Sequence, residues 1–151
     1  MSSQAPISDR LRRILLANGI VTLLYASDLF LFNNWLAGVL YQPDTQMLGF
    51  PVATLVAELG IALALFAVFL CWISRRAGTS RRMGWSIALA DTGWVGLSVI
   101  YAVAASSVLT GWGIAFVLAQ AAITAVFATL EIRELQASAL DSELQPDLIA
   151  G

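Results

Sequence analysis

Apolar residues fall into four long runs, about Ile14 to Phe32, Pro51 to Ile73, Gly84 to Ala105 and Leu109 to Leu130, with polar residues concentrated between and beyond them. Crossing about 30 Å of hydrocarbon takes roughly 20 helical residues, because a spanning segment must satisfy its own backbone N–H and C=O groups. Each run meets that requirement, so the pattern predicts an all-α fold: a transmembrane four-helix bundle spanning residues 14–131. Residues 1–13 form a polar N-terminal segment and 132–151 a C-terminal tail.

Within the runs, polar side chains recur at helical spacing. Asn18, Thr22, Tyr25 and Asp28 share a stripe on the first helix, and Asp91, Trp94, Ser98 and Tyr101 share one on the third. Gly113, Gln120, Thr124 and Glu131 line a face of the fourth, and Thr54 lies one turn from Glu58 on the second. Four such edges turned inward predict a narrow polar interior. Small residues suited to close helix contact in lipid accompany them: Ala53, Ala57, Gly60 and Ala64, then Ser98, Ala102 and Ser106, then Ala121, Ala125 and Thr129. The first connection is half apolar, and Asn33 to Tyr41 either extends the first helix or lies along the outer interface before a turn at Pro43 and Asp44. After Glu131 the helix is expected to run on for some turns and to fray from Asp141, near Pro146.

Charge placement gives the expected orientation. All eight basic residues are arginines. Arg10, Arg12 and Arg13 precede the first helix, Arg75, Arg76, Arg81 and Arg82 fill the second connection, and Arg133 follows the fourth helix. The first and third connections carry no basic residue, so the arginine bias predicts both termini on the cytoplasmic side. A cleaved signal peptide is the competing reading of the first run, but that run is long, contains Asn18 and Asp28, and has no small-x-small site after it. Composition agrees with a membrane protein: 59% of the 151 residues are hydrophobic and 12% charged.

Ionisable groups at membrane depth are expensive and usually functional or paired. From a rise of about 1.5 Å per residue, Asp28 lies roughly 7 Å and Glu58 roughly 10 Å below the outer ends of their helices, so the two are expected to be able to meet. Glu58, with no basic residue at its depth, is expected to be neutral or to share a proton with Asp28. Asp91 lies about 10 Å from the cytoplasmic end, which sets it apart from both. It either faces the interior or reaches toward Arg81 or Arg82. Tyr25, Trp94 and Gln120 join Asp28, Glu58 and Asp91 as candidates for handling a proton or ligand. Trp94 either walls a cavity or, as the plainer expectation, fills the core. The Asn, Thr, Ser and Gln positions are expected mainly to join helices.

The absence of histidine and lysine removes imidazole ligation of haem or zinc, Ser-His and Cys-His catalysis, and Schiff-base chemistry. Cys71 is a single cysteine, which excludes an intrachain disulfide and a cysteine-held iron–sulfur cluster. No glycine-rich phosphate loop is present either. The expectation is therefore a non-enzymatic protein without cofactor, bound metal or nucleic-acid partner.

Several short motifs resemble a family of small, uncharacterised bacterial four-helix membrane proteins. They are the arginine-leucine opening at Leu11 to Leu15, Leu48-Gly49-Phe50-Pro51, Asp91-x-x-Trp94-Val95-x-x-Ser98, and Gln120-Ala121. The resemblance covers about Leu11 to Leu135 and implies a fold without implying an activity; the expected location is a bacterial inner membrane. The four-span layout is also similar to small multidrug transporters, whose essential carboxyl lies in the first helix in a different setting. The leading expectation is a homo-oligomer or an accessory subunit of a larger membrane assembly that encloses a lipid or other apolar molecule. The second is a small carrier coupled to protons or cations through Glu58 and Asp28.

Overall fold

The computed structural model describes residues 7–76 and 79–144, without the side chains of 141–144. Its elements are α1 (Asp9–Leu31), α2 (Asn33–Leu40), β1 (Gln46–Met47), β2 (Phe50–Pro51), α3 (Val52–Arg75), α4 (Arg81–Ala104) and α5 (Gly111–Leu144). Four of these helices, α1, α3, α4 and α5, are long and apolar enough to cross a membrane. The arginines gather at one end of the bundle, called here the arginine end, and the other is the far end.

The helices begin and stop where local chemistry dictates, which is not always where the apolar runs do. Ser8 caps α1, its Oγ accepting from the Leu11 N–H at 3.1 Å, and Ser80 caps α4 through the Met83 N–H at 3.4 Å. Both helices therefore start among the arginines. At the far end of α5 Thr110 does the same through the Gly113 N–H at 3.0 Å. That helix remains unbroken to Leu144, past the expected fraying point at Asp141, while residues 145–151, with Pro146, lie outside the described segments.

Asn33 to Tyr41 does not continue α1. The chain breaks at Phe32, whose N–H still bonds to the Asp28 carbonyl, and restarts as α2. The end of α2 is laid against the start of α5. Gln42 N–H donates to the Val108 carbonyl at 2.8 Å, Thr110 N–H to the Leu40 carbonyl at 2.9 Å, and Thr110 Oγ1 to the Val39 carbonyl at 2.7 Å. A Cβ on Gly113 would strike the Leu40 carbonyl, so only glycine permits this approach. Beyond α2, β1 and β2 form a hairpin with Gln46 opposite Pro51 and Met47 opposite Phe50. Its two turn residues, Leu48 and Gly49, both have positive φ, 56° and 80°, as a tight primed turn requires.

α1 packs chiefly on α3, α4 on α5, and α1 also touches α5. The α1/α3 contact is antiparallel and built on small residues seven apart. Gly19 lies against Ala67 and Cys71, and Gly60 against Ala26 and Phe30. Ala26 and Ala67 are fully buried. Toward the arginine end, Leu11, Leu15, Leu70, Ile73, Ile87 and Leu135 close into one apolar core, while a second core at the far end gathers Ala26, Leu29, Leu36, Leu40, Val52 and Val56. Outward faces are mostly oily: Leu24, Leu31, Leu65, Leu89, Ile100 and Val103 are all exposed. An exterior so largely apolar is foreign to a protein surrounded by water.

The inward-turned polar edges hold for α1, α4 and α5 but fail for α3. Thr54 and Glu58 are exposed on the bundle's exterior, as is Asp28 on α1. The small residues at Gly60 and Ala67 decide this, since they turn α3 so that its smoothest face meets α1, which carries the Thr54 and Glu58 edge outward.

Because the neighbours of Gly60 are backbone atoms, with Ala26 O and Phe30 N each 2.9 Å from an added Cβ, they cannot yield to a side chain. Gly60→Val is expected to destabilise the protein by about 1–3 kcal/mol through overpacking. Gly93→Ala, where an added Cβ meets nothing within 4 Å, is expected to be tolerated. Thermal unfolding of both variants in detergent checks the contrast.

Candidate functional site

Three polar side chains from three helices meet inside the arginine-end half of the bundle. Asn18 Nδ2 donates to Asp91 Oδ2 at 2.6 Å and to Glu131 Oε1 at 3.1 Å. All three residues are buried, Glu131 completely. The convergence follows from helix lengths. Asn18 lies about nine residues into α1 and Asp91 about ten into α4, so both stand about 14–15 Å above helix starts at the same end. Glu131 arrives at that height from the opposite direction, twenty residues along α5. The Asn18 carbonyl is engaged as well, accepting from Thr22 Oγ1 at 3.2 Å.

Asp91 is thus held by Asn18 and makes no recorded bond to Arg81 or Arg82; Arg81 donates instead to the Leu135 carbonyl at 2.9 Å. Arg10 pairs with Glu134 at 3.1 Å on the bundle's rim. Among the described residues, the hydrogen bonds that reach Asp91 and Glu131 come from one neutral amide.

Above this cluster lie two cavities. The smaller, of about 170 Å³, is lined by Asn18, Thr22, Tyr25, Phe116, Gln120 and Thr124 among others. The larger, of about 400 Å³, lies in the far-end half and shares Tyr25, Phe116 and Gln120 with it. The Tyr25 and Phe116 rings stack with centroids 5.4 Å apart. As residues of both linings, they stand where the two cavities adjoin. Trp94 Nε1 donates to Gln120 Oε1 at 3.0 Å, and Gln120 Nε2 donates to Thr124 Oγ1 at 3.0 Å. Trp94 therefore walls the cavity as well as filling space.

The rest of the large cavity is mainly apolar, with Leu29, Val56, Leu55 and Leu59 on one side and Leu97 on the other. At its far end the Tyr41 and Tyr101 hydroxyls lie 2.7 Å apart, and Tyr101 also reaches Met47 Sδ at 3.7 Å. Burial first, then the Tyr101 hydroxyl and Tyr25, push the Tyr41 phenol above its ordinary range, so it stays a neutral hydrogen-bonding group. The cavity exists because α3 and α4 are held apart at this end. Leu59 is 37% and Leu97 63% exposed although both line it, so it opens sideways between these two helices.

Of the six residues singled out from sequence, the structure brings Tyr25, Trp94 and Gln120 together around the cavities and places Asp91 in the buried cluster below them. Glu58 and Asp28 stand apart from both, exposed on the outer faces of α3 and α1, with no recorded hydrogen bond between them. Residues not singled out as site candidates complete the arrangement: Asn18, Thr22, Glu131, Ser98, Tyr41 and Tyr101. The signal for Asn18 and Glu131 was available in the polar stripes, which already aligned them with Tyr25 and Gln120.

Comparison with protein-family models, with curated proteins and with solved structures finds no match for this chain.

Removing the shared donor should expose the weight carried by the cluster. Asn18→Ala leaves two buried carboxyls without their amide and is expected to destabilise the protein by about 3 kcal/mol. Asp28→Asn, which replaces an exterior carboxyl by a neutral amide, is expected not to destabilise the protein. Denaturant titration in mixed micelles measures both.

Proposed function

We propose that this is a four-span integral membrane protein, its arginine end in the cytoplasm, that takes a small apolar molecule sideways from the bilayer and holds it between α3 and α4. The observation that carries the reading is the cavity of about 400 Å³, lined by aliphatic and aromatic side chains and opening past Leu59 and Leu97. Its size falls among ordinary small-molecule sites, which run from about 300 to 1,000 Å³ and combine apolar walls with a few convergent polar groups. A mouth flanked by leucines on a lipid-facing surface favours a ligand already dissolved in the membrane. Ser98, Gln120 and the Tyr41/Tyr101 pair supply hydroxyl and amide groups for a small polar end, such as a carbonyl or hydroxyl, on an otherwise apolar molecule.

The arginine placement supports the orientation, since basic residues are retained on the cytoplasmic side during insertion. A bacterial inner membrane is the setting we propose. Asp28 and Glu58 favour a second feature. Exposed carboxyls at membrane depth are costly against lipid, and a neighbouring membrane helix that covers them lowers that cost. This supports a protein that works within a larger assembly, as an accessory subunit or a homo-oligomer, and not as a catalyst.

Ligand capture is expected to survive gentle extraction. Native mass spectrometry of the protein released from its own membrane should show a bound small molecule, and Ser98→Phe, which fills the cavity, should remove it while the protein stays folded. A protein of bare sequence mass, or an adduct retained in Ser98→Phe, overturns the reading. Reporter fusions after Gly151 and at Gln42 are expected to report opposite sides of the membrane; the same side for both overturns the orientation.

A further inference from the structure

Holding an apolar ligand makes no use of the two carboxyls beneath the smaller cavity. We propose that Asn18, Asp91 and Glu131 form a proton-exchange site, in which one proton is held between two carboxyls and exchanged through the cavities, with the arginine end sealed. This inference does not depend on what the larger cavity binds.

The first support is the count of donors. Asp91 and Glu131 both accept from the same neutral Asn18 amide, and Glu131 Oε2 is buried with no hydrogen-bond partner among the described residues. Two buried anions with one uncharged donor between them lose far more hydration than the amide replaces. A protonated carboxyl is itself a donor, so a single proton supplies both the missing hydrogen and the missing positive charge. The nearest cationic groups lie toward the arginine end, where Arg12 Nε and Arg81 Nε are buried without a hydrogen-bond partner among the described residues. Arg10 is paired with Glu134 and Arg81 donates to Leu135 O, both one turn farther toward the arginine end, while α3 presents the Cys71 sulfur against Gly19.

The second support is access. Asn18 is at once the shared donor and part of the lining of the smaller cavity, where Thr22, Gln120 and Thr124 offer hydroxyl and amide groups along the wall. That cavity adjoins the larger one at Tyr25 and Phe116. On the other side of the cluster, Leu11, Leu15, Leu70 and Leu135 are almost wholly buried in a close-fitting apolar core. In the exchange step the Asn18 amide, which lines the smaller cavity where the carboxyls do not, turns aside; the carboxyl O–H bond breaks, its electron pair stays on the carboxylate oxygen, and the proton passes to a water or a basic ligand atom entering from that cavity.

Infrared spectroscopy of the protein in lipid nanodiscs tests this directly. At neutral pH the unsubstituted protein is expected to show the C=O band of a protonated carboxyl, and that band should move to its deuterated position after transfer to D2O. The band should be lost in Asp91→Asn/Glu131→Gln and kept in Asp28→Asn/Glu58→Gln. Absence of the band in the unsubstituted protein, a band that does not respond to D2O, or an undiminished band in Asp91→Asn/Glu131→Gln each overturns the proposal. The first two are read without any substitution, so a variant that fails to fold does not shelter it. A protein that shows the band but carries no co-purifying molecule keeps the proton site and loses the ligand.

Discussion

One side-chain amide joins the two halves of this bundle. In lipid the surrounding chains are as apolar as leucine, so helices gain little by hiding oil from one another and are held by close approach and by hydrogen bonds. α1 and α3 supply close approach, α4 and α5 supply another packed pair, and the Asn18 Nδ2 group of the first pair bonds to a carboxyl on each helix of the second. An asparagine is suited to this because its nitrogen carries two hydrogens that diverge, one for each acceptor, while its oxygen is left for Thr22. The two cavities depend on that join, since it fixes where α1 stands relative to α4 and α5.

From this height the bundle differs in its two directions. Toward the arginine end, small residues and leucines interlock: Gly19 lies on Ala67 and Cys71, and Gly84 beneath Leu135. Toward the far end, bulk takes over. Stacked Tyr25 and Phe116, the Trp94 indole and the Tyr41/Tyr101 pair fill part of the space and leave the remainder open. Helix α2 maintains the gap by bridging α3 and α5, with Leu36 and Leu40 sunk into the far-end core. Tight packing at one end and a wedge at the other are what convert four apolar rods into a container.

Much of this was legible in the sequence. The four long helices follow from run length, and the inward edges of α1, α4 and α5 from helical spacing, although Asp28 at the end of the α1 stripe lies outside. α3 misleads for a physical reason. Its polar edge is only Thr54 and Glu58, so its orientation is decided by where Gly60 and Ala67 allow α1 to approach, and that edge is carried outward as a consequence. The meeting of Asn18, Asp91 and Glu131 was hidden by a different error, that of measuring depth from the edges of the apolar runs. Ser8 and Ser80 start their helices among the arginines, and measured from those caps Asn18 and Asp91 fall level. The lateral opening between α3 and α4 has no counterpart in sequence pattern at all, because it reflects how widely two helices stand apart at one end.

α5 is 34 residues long, about 51 Å at helical rise, against a hydrocarbon layer of about 30 Å. Past Gly113 it contains neither glycine nor proline, so no ordinary hinge interrupts it. Its first turn is held by α2, through the Leu40 carbonyl against Gly113, and farther along Asn18 holds it at Glu131. Leu140 on this rod stands about 36 Å from Phe116 in the cavity wall, a separation greater than the thickness of the hydrocarbon layer.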